Sequence, residues 1–473
     1  MELPLGVGEL DSPGTPAVTQ REAVLEDLVA QHTALGDVHA AMNADMPVTG
    51  RQTESCQTAL TLAFPFLSYI RAVSRYCREH DIRKVYFLSR EGRFFKRLFD
   101  AMERSEMETH YLCVSRIALL MLTMEDLNER AVDHVLDLFE HHSHLKVVSI
   151  KQLLYILKLD HPEAFRIVRH FGHDARRPMP FKENRERFKA VLLDERMRCL
   201  FARLREDYLA LFLRYLRQVK LPDADRILLC DMGWSGSMQT YLAGLLSKQG
   251  SAVRVHGFYF GYDQTIDAQK HAASPDNVVK TGYFVYDGDP ARLREQQIIN
   301  NLSLEILAST GHGSVVSYRD QQGIVTPVFR HVPEEVWQYR RFIRPFQNLI
   351  IGYAERYGAL VEEIHRVYPE SEVYAYNMTI THRLFYQPSQ EFQRFLAFVF
   401  YDDFFGKDVR ILLAPYTVPN WRARIRFGLR GILSRLALYL TPSFLLGWLT
   451  EDEVEMGCRC GDRPRQEAEM SAS

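Results

Sequence analysis

The sequence predicts a mixed α/β fold: a mainly parallel sheet with a helical insertion and a helical C-terminal part. Three observations carry this. Short β-prone runs, Lys84–Leu88 and Arg226–Asp231, each end in a loop rich in Gly, Ser or charge and pass at once into a helical pattern. A further β-like run follows each of those helices, the signature of βαβ units. The roughly 100 residues between the two units are rich in Leu, Arg and Glu and carry no strand pattern.

The elements follow in order. Residues 1–55 read as an extension, with one helical stretch near Glu22 to Met42. Over Ala59–His80, Leu60, Phe64, Leu67, Ile70 and Val73 recur at helical spacing. The first part of the α/β domain, residues 56–122, then holds the strand Lys84–Leu88, the loop Ser89-Arg90-Glu91-Gly92, a helix marked by Phe94, Phe95, Leu98 and Phe99, and a second strand over Tyr111–Val114 ending in Ser115-Arg116. Residues 123–220 form the helical insertion. The second part, 221–330, opens with Arg226–Asp231, turns through Met232-Gly233-Trp234-Ser235-Gly236-Ser237, and continues as a helix from Met238 to Lys248 and a strand over Val253–Phe260. Residues 280–330 alternate Tyr, Phe and Val with Gly turns, and 331–415 return to helices. Together these make the sheet Rossmann-like.

Composition narrows the function classes. With 47% hydrophobic residues, the 473-residue chain can bury a large core, which excludes collagen-like and mainly disordered classes. The net charge of -2 leaves no global basic field, so nucleic acid is not an expected partner. Seven scattered Cys argue for a reduced, cytoplasmic protein rather than a disulfide scaffold. The N-terminus lacks an export pattern, and no apolar run reaches the roughly 18–20 residues that a span requires.

Ligands of open parallel sheets bind at the carboxyl ends of the strands. At one such end, Gly233 and Gly236 let the backbone turn tightly, while Ser235, Ser237 and the helix start favour an anion such as phosphate. Asp231 suits a hydroxyl, a metal ion or catalysis. The loop Ser89–Gly92 is the matching feature: Arg90 can fork a phosphate, and Glu91 can orient it or do acid–base work. Arg116 adds a further cation. The plainer readings are a helix cap at Ser235 or Ser237 and a surface ion pair at Arg90.

These stretches resemble a module of bacterial surface-polysaccharide biosynthesis proteins that often sits beside haloacid-dehalogenase-type or glycosyltransferase domains. The resemblance rests on Tyr86–Gly92, Ser115-Arg116, Asp231–Gln239 and Asn301 to Ser317, and spans residues 55 to 410. Glu91 stands where the module usually has Asp. The resemblance implies a pathway, surface-polysaccharide biosynthesis, more than a reaction; with the loops it leads to a sugar phosphate or nucleotide sugar as the expected ligand, and to transfer ahead of hydrolysis if the protein is an enzyme. A looser resemblance is to phosphoribosyltransferases: Asp231 matches the second acid of their phosphate loop and Ser235-Gly236 its Thr-Gly, with Cys230 in place of the first acid. The Ser89–Gly92 loop is similar to their pyrophosphate loop.

Weaker candidates complete the expectations. Asp287-Gly288-Asp289 can hold a divalent cation, with Mg²⁺ the candidate for a phosphohydrolase alternative that would use Asp231 or Asp287, but it reads first as a turn. Glu140–His144 reads as solvated surface, and Cys458-Arg459-Cys460 lacks a second pair for zinc. Within the basic amphipathic segment 416–450, Trp421 to Leu449 interleaves Arg422, Arg424, Arg426, Arg430 and Arg435 with apolar residues. That pattern suits an anionic membrane surface, or a docking helix for a glycosyltransferase partner. Such a protein would lie on the inner face of the cell membrane; a non-catalytic adaptor is the third reading. Residues 451–473 are a polar tail.

Overall fold

The computed structural model describes residues 35–46, 54–102, 107–141, 147–270, 274–299 and 302–388, with short pieces at 392, 400–402 and 410–412. The basic segment 421–449, Cys458 to Cys460, His142 to His144, Asn301 and most of the N-terminal extension lie outside the described residues.

The chain enters through α1 (Leu35–Asp45) and α2 (Glu54–Glu79), whose apolar stripe is buried from Leu60 to Val73. The first βαβ unit is β1 (Lys84–Leu88), α3 (Gly92–Met102) and β2 (Glu108–Leu112), followed by α4 (Arg116–Thr123). The second strand was expected over Tyr111–Val114. Pairing with β1 begins instead at Lys84↔Glu108, and the chain leaves the ladder after Leu112 to reach Ser115, which caps α4. Helices α5 (Glu129–His141), α6 (Ile150–Ile156), α7 (Pro162–His170), α8 (Phe181–Leu193) and α9 (Glu195–Gln218) follow. Among them lies only a two-residue strand pair, β3 (Val147–Val148) with β4 (Met179–Pro180).

The sheet resumes with β5 (Arg226–Asp231), α10 (Ser237–Lys248), β6 (Arg254–Asp263), α11 (Gln264–Lys270) and β7 (Val278–Tyr286). Its order is β2-β1-β5-β6-β7, every pair parallel, which makes it a Rossmann-like α/β sheet. Alternate residues feed two cores. Tyr86, Leu88, Ile227 and Leu229 face the insertion, while Val85, Phe87, Leu228 and Cys230 face α2 and α3. Helices thus cover both faces, which explains why these strands read as unbroken apolar runs.

Residues 280–330 hold more helix than their Tyr, Phe and Val content suggested. After β7 come α12 (Leu293–Ile299) and α13 (Leu302–Ala308), then the hairpin β8 (Val315–Gln321) and β9 (Ile324–Phe329). Ile298, Ile299, Leu304 and Leu307 are buried at helical spacing, and that burial decides the local structure. The chain continues through α14 (Pro333–Gln338), a π-turn at Tyr339–Ile343, α15 (Arg344–Val367) and α16 (Glu370–Tyr386). A short antiparallel pair, β10 (Phe400–Asp402) and β11 (Arg410–Leu412), stands where helix was expected. Among the described residues no helix is long and apolar enough to cross a membrane.

Candidate functional site

Strand order places the site. The chain winds one way from β1 to β2 and the other way from β5 onward, so β1 and β5 flank the switch point, where the connections diverge and leave a crevice. Register brings Phe87 opposite Cys230, so the loops after both strands emerge at one level. A cavity of about 270 Å³ opens there. Its walls include Ser89, Arg90 and Glu91 from the first loop, Ser115 and Arg116 from the start of α4, and Asp231 through Met238 from the second loop. Ile266 and Lys270 of α11, Glu305 of α13 and Ser314 complete it.

Of the residues singled out from the sequence, Ser89, Arg90, Glu91, Arg116, Asp231, Gly233, Ser235, Gly236 and Ser237 share this one cavity. Gly92 does not line it. Its part is a close approach: a Cβ there would stand 2.6 Å from the Phe87 carbonyl carbon, so α3 can fold back on β1 only with glycine. A Cβ on Gly233 would stand 2.2 Å from the Gly261 carbonyl oxygen, so the second loop is pressed against β6. Both loops contain a cis peptide, Ser89–Arg90 and Gly233–Trp234.

The two hydroxyls expected to bind phosphate differ. Ser89 is committed to the fold: its Oγ donates to the Val114 carbonyl at 2.6 Å and accepts from the Val114 N–H at 3.2 Å. Ser235 and Ser237 contact each other at 3.1 Å at the head of α10, inside the cavity. Gly236 is the N-cap residue of α10 in the left-handed conformation, with no side-chain cap bond. The positive end of a 12-residue helix therefore opens on the cavity through Ser237 and Met238.

Charge inside the cavity is divided. Glu91, Asp231 and Glu305 make up the acidic side. Burial pushes the Glu91 carboxyl up; Arg90 opposes this and Glu305 adds to it. Burial pushes Asp231 well above the carboxylate range, Glu91 raises it further, and the Met232 N–H, donating to Oδ1 at 2.8 Å, opposes. Glu305 accepts the indole N–H of Trp234. On the basic side, Arg116 and Lys270 are both exposed and near each other; burial, then Arg116, lowers the Lys270 ammonium. Arg90 is held instead by Glu335 of α14, Nη1 to Oε1 at 2.9 Å, with both side chains nearly buried.

Four contributors were not expected from the sequence. Glu305 and Glu335 lie in stretches read for their aromatic or apolar pattern, Lys270 ends a short polar helix, and Trp234 sat unremarked within the glycine-rich loop. Only Trp234 and Glu305 fell inside stretches already singled out. Cys230, at the position of an acid in the looser resemblance, faces the α2 core, where burial raises its thiol.

Among the described residues no group of three or more His, Cys, Asp or Glu side chains is arranged to hold a metal ion. Asp287-Gly288-Asp289 closes as a turn: the Asp289 N–H donates to Asp287 Oδ1 at 3.0 Å, Asp289 caps a short 3₁₀ turn, and Arg292 pairs with Asp287.

Fold and site together describe a parallel α/β protein with a polar cleft at the carboxyl ends of its central strands. A scan of protein-family models and a search of curated proteins return no match to the chain.

Proposed function

We propose that the cleft binds a phosphorylated sugar or a nucleotide sugar and that the protein acts in cell-surface polysaccharide assembly, as a transferase if it is an enzyme. The single observation that carries the binding role is the division of charge within one cavity. The head of α10, Ser235, Ser237, Arg116 and Lys270 suit a phosphate. Asp231, Glu91 and Glu305, on the other side of the cavity, suit sugar hydroxyls, which carboxyl oxygens accept hydrogen bonds from. Trp234 adds an aromatic wall.

Arg90 takes an indirect part here. Paired with Glu335 and lying over Glu91, it holds the first loop in place and tempers the acidic side. The pathway, the phosphoribosyltransferase-like character of the loops and the location on the inner membrane face rest on the resemblances and on segment 421–449. The chemistry of the cleft supports a ligand class, and transfer follows from the resemblance alone.

The test is a thermal-shift series with sugar phosphates, nucleotide sugars and phosphoribosyl pyrophosphate. At least one should stabilise the wild-type chain, and Asp231→Ala and Arg116→Ala should each abolish that shift. An unchanged response in both variants overturns the assignment of the cleft.

A further inference from the structure

A second, smaller cavity of about 120 Å³ lies along the same two helices that frame the cleft. Its walls are Leu119 and Leu122 of α4, and Thr240, Tyr241, Gly244 and Leu245 of α10, with Thr123 and Lys248 toward its far end. Arg116 and Ile117 at the start of α4, and Ser237 and Met238 at the start of α10, line the polar cleft. At 1.5 Å of rise per residue, Thr240 and Tyr241 stand about 5 Å along α10 from Ser237, so the groove begins about one helical turn beyond the cleft. Leu119, Leu122 and Leu245 are almost fully buried members of the insertion-side core, so the floor of the groove is apolar and built by the fold, while Thr123, Thr240, Tyr241 and Lys248 edge it.

The geometry points to a ligand with two parts, in which a phosphate at the head of α10 carries an alkyl or isoprenoid chain that lies in the groove between α4 and α10. This inference rests on the binding role proposed above and names its substrate class: a lipid-linked phosphate or phosphosugar. A groove of about 120 Å³ holds roughly four water-sized groups, enough for the first few carbons next to the phosphate. Lys248, bridged to Glu125, stands where the chain would leave toward solvent.

The experiment titrates the full chain with geranyl phosphate, methyl phosphate and geraniol. Geranyl phosphate should bind at least tenfold more tightly than methyl phosphate, as a few buried carbons imply, and more tightly than geraniol. Two groove-filling variants locate the chain. Gly244→Leu starts from a position where a Cβ meets only the Pro275 ring, at 3.5 Å, and Thr123→Phe acts from the opposite helix. Each, once shown folded by circular dichroism, should remove the preference for geranyl phosphate and leave the affinity for methyl phosphate unchanged. Equal affinity of the wild type for the two phosphates overturns the tail groove and leaves the phosphate site standing. A preference that survives in both variants overturns its location. Failure of both phosphates to bind, at any concentration that shifts a folded control, overturns the cleft and the groove together.

Discussion

The two ends of the one parallel sheet treat buried ionisable groups in opposite ways. At the amino end, His256 at the start of β6 is nearly sealed: its Nδ1 meets the Tyr76 hydroxyl at 2.9 Å, and the His80 ring lies tilted against Tyr76, centroids 4.1 Å apart. Burial lowers the imidazole to about 4, with His80, Arg254 and Arg226 adding to the effect. At the carboxyl end, carboxyls rather than an imidazole are forced toward neutrality, and they face a cavity instead of a packed wall. Both ends give up stability to hold a titratable group in poor surroundings. Only the carboxyl end leaves room for a ligand to recover it, and that difference separates a binding site from a structural polar cluster.

The largest expected effect breaks the open end outright. In Gly233→Ala the new Cβ has only the Gly261 backbone to displace, so the loop must leave β6; a loss of about 3 kcal/mol or more, read by urea unfolding, is expected. The control is Gly244→Ala, whose Cβ finds ordinary contact and which should be neutral or stabilising by up to about 1 kcal/mol.

The closed end is tested by pH. His256 is lowered in the folded chain, so the unfolded chain takes up its proton first as pH falls from 6.5 toward 4. Its contribution to stability is whole above pH 6.5, is lost through that window and is exhausted below 4. A displacement of this size corresponds to about 3 kcal/mol. His256→Gln should flatten that part of the stability–pH curve, and an unchanged slope would show that His256 is not its source.

At the open end the sign reverses. Asp231 is raised on folding, so its contribution is present below the unfolded value and lost as pH rises above it. Asp231→Asn should therefore stabilise the protein at neutral pH by about 1 kcal/mol while removing the ligand-dependent shift. A variant both less stable and ligand-responsive would contradict the contrast between the two ends. The smallest effect belongs to Lys270→Ala: with an exposed cation at the rim, stability should stay within about 0.5 kcal/mol, while affinity for the phosphorylated ligand falls about tenfold. Calorimetric titration in low salt reads both the loss and its screening.

Much of this architecture was legible before any coordinates. Lys84–Leu88 and Arg226–Asp231 emerge as strands with the bounds their apolar runs imply, because a strand buried on both faces writes itself as an unbroken run. The helix after each was equally plain from Phe94, Phe95, Leu98 and Phe99, and from the glycine-rich start of α10. The glycine-rich and arginine-bearing loops were recognisable as a pair because both follow strands, where the backbone must turn and leave polar groups near a helix end. Residues 290–308 were misjudged because two seven-residue helices offer too few turns for periodicity to outweigh their aromatic neighbours.

The sequence by itself determined β1, β5 and the helix that follows each, and that Asp231 and Glu91 would sit at strand ends, because those properties follow from neighbours a few residues apart. Tertiary structure alone decided that Glu305 joins those two carboxyls, that Glu335 pairs with Arg90, that Lys270 stands beside Arg116, and that α4 and α10 leave a groove between them. Each of these depends on residues dozens to hundreds of positions apart meeting at one sheet edge. Charge and burial act through space, and no local pattern along the chain records that distance.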